Sequence, residues 1–185
     1  YGNSTKIPFR EDDRCENIIS PYGASKRSAE FFVEVFAKSS KMNSIILRFF
    51  TVYGPKGRPD LAPALFTKAI ANGQQISQFG DGSSYRDYTF IDDIVDGVIK
   101  VLDLNLKFKI INLGNNKPVK LVDFIKTCER LIGKQAKIKR LPDMLGDAER
   151  TWADITIARK LLDWQPKISL EEGLASYIKW QKAEN

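Results

Sequence analysis

The sequence predicts an α/β fold. Two short apolar runs, residues 45–50 (IILRFF) and 108–113 (FKIINL), carry β-branched residues and read as strands, the first as a buried parallel one. Segments with apolar residues at helical spacing stand before, between and after them. At 185 residues and 43% hydrophobic content the chain has room for one sizeable core or two small lobes.

Taken in order, residues 5–19 are polar and interrupted by Pro8, which predicts a loop. Ser20-Pro21-Tyr22-Gly23-Ala24-Ser25-Lys26 then opens a long helix. Ser20 suits the N-cap and Pro21 the first turn, where a missing N–H costs little. The helix continues through Phe32, Val33 and Phe36 to the polar Lys38-Ser39-Ser40. After the strand at 45–50, residues 61–72 read as a second helix stopped by Gly73. Residues 75–79 and 85–90 have strand character and flank Gly80-Asp81-Gly82-Ser83-Ser84, so a hairpin is expected. Asp92 and Asp93 are placed to cap a third helix containing Ile94, Val98, Val101 and Leu102. Beyond the strand at 108–113, Leu121, Phe124, Ile125, Cys128, Leu131 and Ile132 mark a helix closed by Gly133. A strand at 136–141 follows, and Asp154 opens a short helix reaching Leu162. Ser169-Leu170-Glu171-Glu172 forms a capping box for the last helix, with Leu174, Tyr177 and Ile178 as its buried stripe.

The formal charge is +6 with no histidine. The excess suits an anionic small ligand, but the basic residues form no dense run and no recognition motif accompanies them, which argues against nucleic acid. Cys15 and Cys128 lack metal-ligand spacing, so no metal site is expected, and Cys128 falls on an apolar helix face as a core thiol. The expectation is a reduced, cytoplasmic chain, with no apolar run of membrane length.

Tyr22 and Lys26, four residues apart, share one helix face. A phenol ionises at roughly pH 10 in water, and a nearby ammonium favours the phenolate, the form that acts as a general base. Alone, such a pair reads as a packed tyrosine and a solvated lysine.

Three stretches together change that reading: Pro21 with Tyr22 and Lys26, Arg48-Phe49-Phe50-Thr51-Val52-Tyr53-Gly54-Pro55, and Arg86-Asp87-Tyr88-Thr89-Phe90-Ile91-Asp92-Asp93. In type, order and spacing they resemble the extended short-chain dehydrogenase/reductase family, in its nucleotide-sugar epimerase and dehydratase branch. The resemblance runs from Tyr1-Gly2 to the Trp180 helix. It implies the later part of a Rossmann-like sheet, residues 1–57 and 91–115, interwoven with a smaller nucleotide-sugar lobe, residues 58–90 and 116–185. It further implies that Tyr22 is the catalytic base and Lys26 its partner, both touching an NAD cofactor. Phe49 and Val52 would line the nicotinamide, and Thr51 and Arg58 would face the sugar. Phe79 would lie by the nucleotide base, Arg86 on the diphosphate and Asp147 on the ribose hydroxyls. Read alone, Thr51 is a strand end, Arg58 a loop charge and Arg86 the ion-pair partner of Asp87.

Galactose-type relatives carry asparagine at the position of Thr51 and an arginine at that of Met144. With Gly57-Arg58-Pro59-Asp60 following, the resemblance favours UDP-glucuronate. The implied activity is NAD-dependent epimerisation at C4 of a UDP-sugar through a 4-keto intermediate, by a homodimer. The alternatives are a nucleotide-sugar 4,6-dehydratase and a sugar-nucleotide-binding module without catalysis. The sequence contains no Gly-x-Gly-x-x-Gly turn. It is therefore expected to be the carboxy-terminal portion of such an enzyme, inactive alone.

Overall fold

The computed structural model describes residues 1–143, 146 and 148–184. The elements run α1 (Pro21–Ser40), β1 (Ser44–Phe49), β2 (Thr51–Tyr53), α2 (Ala62–Ala71), β3 (Gln75–Phe79), β4 (Tyr85–Arg86) and β5 (Tyr88–Phe90). They continue as α3 (Ile91–Val101), β6 (Phe108–Leu113), β7 (Val119–Lys120), α4 (Leu121–Ile132), β8 (Lys137–Leu141), α5 (Thr156–Leu162) and α6 (Leu170–Glu184). The mixed α/β architecture expected from the sequence is present. Ser20 caps α1, its hydroxyl accepting the Gly23 N–H at 3.1 Å. The capping box of α6 is reciprocal: Ser169 Oγ accepts the Glu172 N–H, and a Glu172 carboxylate oxygen accepts the Ser169 N–H.

β1 and β6 pair in parallel, in register from Ser44↔Phe108 to Phe49↔Leu113. At Phe50 the chain leaves β6 and continues as β2, which runs parallel to β5 from Thr51↔Tyr88 to Tyr53↔Phe90. The expected 75–79/85–90 hairpin does not form. β3 pairs in parallel with β8, β4 pairs antiparallel with β7, and β5 pairs with β2. The physical reason lies at two points. Gly80 and Gly82, both at positive φ, turn the chain out of β3, and buried Asp87 divides the second run into two strands with different partners.

Two apolar cores result. One gathers Tyr53, Phe66, Ile70, Ile76, Tyr88, Phe90, Phe124, Cys128 and Leu174 beneath α2, α4 and α6. The other packs Ile94, Ile111, Leu113, Ile155, Ala158, Leu162 and Trp164 between α3, β6 and α5. Cys128 is fully buried, and burial pushes its thiol up to about 12. The Asp92/Asp93 cap expected for α3 is a correction. The N-cap is Phe90, without a side-chain cap. Buried Asp93 instead accepts the N–H groups of Lys167 and Ile168, both at 3.0 Å, while its carbonyl takes the Trp164 indole N–H. Among the described residues no helix is long and apolar enough to cross a membrane.

Asp93→Ala would strand two amide donors of the 167–168 segment, at about 1–3 kcal/mol each. Urea unfolding should therefore show a loss of about 2–6 kcal/mol with an unchanged denaturant slope.

Candidate active site

Tyr22 stands on the first turn of α1 and is 69% exposed, so it is not a core tyrosine. The Lys26 ammonium lies 5.4 Å from the centroid of its ring. One turn further on, Glu30 anchors the helix. Its carboxylate accepts two bonds from Arg48 of β1, each 2.7 Å, and one from Arg27, also 2.7 Å. Burial disfavours the Glu30 charge, but the bonds and charges of Arg48 and Arg27 outweigh it and hold the carboxyl below its ordinary range. The Arg48 guanidinium also lies 4.7 Å from the centroid of the Tyr1 ring, whose hydroxyl donates to Asn112 of β6 at 2.6 Å. Burial pushes the Tyr1 phenol well up. The helix bearing the candidate base is thus tied to the strand whose end bears Phe49, with Thr51 and Val52 just beyond it.

That strand end presents Phe49, 51% exposed, followed by half-buried Thr51 and Val52. Arg58 lies exposed in the loop after β2. In this structure its guanidinium forks onto Asp60, with Nε at 3.0 Å. Phe79, 39% exposed, closes β3 opposite Leu141. Arg86 is half-buried on β4 and donates to the carbonyls of Tyr85 (2.9 Å) and Glu149 (3.4 Å). Asp147 and Met144 lie outside the described residues.

Reading the sequence missed the role of Asp87, which was weighed only as an ion-pair partner for Arg86. Its buried carboxylate accepts backbone N–H groups from Asn115 (2.6 Å), Asn116 (3.0 Å) and Ala153 (2.9 Å). Burial pushes this carboxyl up, and the three amides pull it back. A charged residue directly ahead of the uncharged 88–91 run was the available signal, as was Arg48 inside 45–50. A hollow of about 510 Å³ on the 1–17 loop contains none of the candidates. Its polar groups answer one another, Ser4 with Asp13, Arg10 with Asp12 and Arg14 with Glu16. Among the described residues there is no His, Cys, Asp or Glu cluster fit for a metal.

A parallel-strand α/β fold with a Tyr-x-x-x-Lys pair exposed on a helix beside a strand end defines a Rossmann-like reductase-type scaffold. Residues 1–177 match the family model described as GDP-mannose 4,6 dehydratase, and the chain belongs to this extended short-chain dehydrogenase/reductase family of nucleotide-sugar epimerases and dehydratases. It is 44% identical over 176 residues to UDP-glucuronate 4-epimerase of Thermodesulfobacterium geofontis, covering 95% of this chain and 54% of that protein. The crystal structure of UDP-glucuronic acid 4-epimerase from Bacillus cereus, in complex with UDP-glucuronic acid and NAD, superposes with a TM-score of 0.86 at 36% identity. That match covers 90% of this chain and 54% of the other. A dTDP-glucose 4,6-dehydratase from Bacillus anthracis, in complex with NAD, matches with a TM-score of 0.89 at 25% identity, over 98% of this chain and 58% of that one. The chain spans about half the length of the curated relatives it matches.

The Glu30–Arg48 pair has side chains only 13% and 11% exposed. Removing one partner of such a pair leaves a buried charge, so Glu30→Gln should cost about 3 kcal/mol in urea unfolding at neutral pH. Because the folded carboxyl titrates below its unfolded value of about 4.3, its contribution is present above that pH and is lost on further acidification. The variant should accordingly lose less stability than wild type between pH 5 and about pH 3.

Proposed function

We propose that this chain carries the general base and the sugar-nucleotide grip of an NAD-dependent UDP-sugar 4-epimerase, with UDP-glucuronate as the favoured substrate. The carrying observation is the exposed Tyr22–Lys26 pair on the first turns of α1, the helix that Glu30 ties to Arg48 of β1. Similarity to UDP-glucuronate 4-epimerases over most of the chain supports the reading. In the proposed division, residues 1–57 and 91–115 belong to the Rossmann-like part and residues 58–90 and 116–185 to the nucleotide-sugar lobe.

The residues present suit the nicotinamide end of the cofactor. Phe49 is exposed at the strand end, and Lys26 forms no ion pair among the described residues, leaving its ammonium available to a ribose hydroxyl. Bound there, NAD would supply a reversible hydride acceptor. The chain's own residues handle protons and charge. As phenolate, Tyr22 takes the proton of the sugar 4-hydroxyl while C4 becomes a ketone, and gives it back when C4 is reduced again. Arg86 and Phe79 hold the diphosphate and base, with a guanidinium fork suited to phosphate oxygens. Asp147, with the ribose hydroxyls as its ligands, completes this grip. Thr51 and Arg58 meet the sugar carboxylate, Arg58 exchanging Asp60 for it. A likeness to 4,6-dehydratases supports a second reading, in which the same 4-keto sugar goes on to lose water.

The natural-length protein, given NAD+ and UDP-glucuronate, should form UDP-galacturonate, as followed by chromatography. Tyr22→Phe should slow this by about 10²–10⁴-fold, the usual worth of a positioned base, with UDP affinity retained. Full activity in that variant would remove Tyr22 from the mechanism, and a 4-keto-6-deoxy product would favour the dehydratase. Arg58→Ala should weaken UDP-glucuronate binding by about tenfold or more while sparing UDP-glucose, since only the former offers a carboxylate.

A further inference from the structure

The polar groups of Asp87 tie together three segments of the chain. Its carbonyl accepts the Thr51 N–H at 3.0 Å, joining it to the strand end that bears the sugar-facing candidate. Its N–H donates to Thr151 Oγ1 at 3.1 Å. Its carboxylate holds the Asn115 and Asn116 N–H groups at the exit of β6 and the Ala153 N–H on the returning segment. That segment runs back along Tyr85, whose N–H donates to the Glu149 carbonyl and whose carbonyl accepts the Thr151 N–H. Arg86, between Tyr85 and Asp87, reaches the same Glu149 carbonyl.

We propose that Asp87 is the positioning residue of the nucleotide-sugar site, its buried carboxylate locking the 149–153 segment and the Asn115-Asn116 turn onto β4 so that Arg86 and Thr51 keep a fixed separation. This rests on the function proposed above and goes beyond it. A buried charge is an expensive way to join backbone segments, and the donors around Asp87 are amides rather than a cation. What a carboxylate supplies here is acceptor capacity at both oxygens, enough for three amides at once. A carboxamide of the same shape must turn an NH2 toward one of those N–H donors, so the junction opens without a change of volume. Asp87 follows Arg86 directly in the chain, so a shift of the Asp87 backbone carries Arg86 with it.

The test compares wild type with Asp87→Asn in the natural-length protein, by calorimetric titration with UDP and, separately, with NAD+. The account expects UDP to bind about tenfold or more weakly in the variant, with NAD+ affinity within about twofold, the KM for UDP-glucuronate rising more than kcat falls. Equal UDP affinity in a folded variant, or equal losses for UDP and NAD+, would overturn the positioning role. Should the variant not fold, amide exchange on wild type decides. Saturating UDP should slow exchange at Asn115, Asn116 and Ala153, and unchanged exchange there under full occupancy would refute the proposal. A wild type that binds neither UDP nor UDP-glucuronate would contradict the function proposed above, and this inference with it.

Discussion

A buried carboxylate that, among the described residues, is held by backbone amides and no cation governs the layout of the candidate site. Asp87 is wholly inaccessible, and charge in that position is tolerable only because three backbone amides converge on it. The same residue marks the break between β4 and β5, so one strand turns to β7 and the next to β2. From that division follow the placement of Arg86 on one side, the β2 continuation of Thr51 on the other, and the return of the chain past Ala153 into the second core. The fold and the site meet at one ion.

The tyrosine helix depends on a second buried charge cluster of a different kind. Arg48 and Arg27 share the single carboxylate of Glu30, and Arg48 Nη1 and Arg27 Nε are buried donors for which the described residues provide no acceptor. The helix otherwise packs lightly: Ala37 is its one buried residue among those described, while Phe32 and Phe36 are largely exposed. Its rotation, and with it the direction of Tyr22, is therefore set more by a directional ion pair than by apolar burial. Bidentate geometry supplies what a greasy face leaves undetermined.

Most of the fold was legible because local signals agreed with it. Ser20 and Ser169 did the capping that their positions suggested, Gly73 and Gly133 ended helices, and the 45–50 and 108–113 runs became strands. Their pairing with each other was not legible, since neither run names its partner. The 75–79 and 85–90 segments carried strand propensity but no information on partners, and the true neighbours of β3 and β4 lie far along the chain. Asp93 had the look of a helix cap and is instead a tertiary clamp on residues 167 and 168. Tyr22, Lys26 and Arg86 were readable as candidates because they sit in local motifs. Arg48 and Asp87 sit in such motifs too, but their roles and that of Glu30 were not readable, since those roles lie in partners 18 to 66 residues away.

The central claim is that the chain's phenol and cation serve a reversible oxidation at C4 of a UDP-sugar. It is tested most directly by giving the natural-length protein UDP-glucuronate deuterated at C4, with NAD+, and reading the product by mass spectrometry and NMR. The account predicts the C4 epimer with deuterium retained at C4, because the same hydride leaves and returns. Product whose deuterium has been replaced by solvent hydrogen, or deuterated substrate left unchanged by a folded, NAD-binding protein, would contradict it.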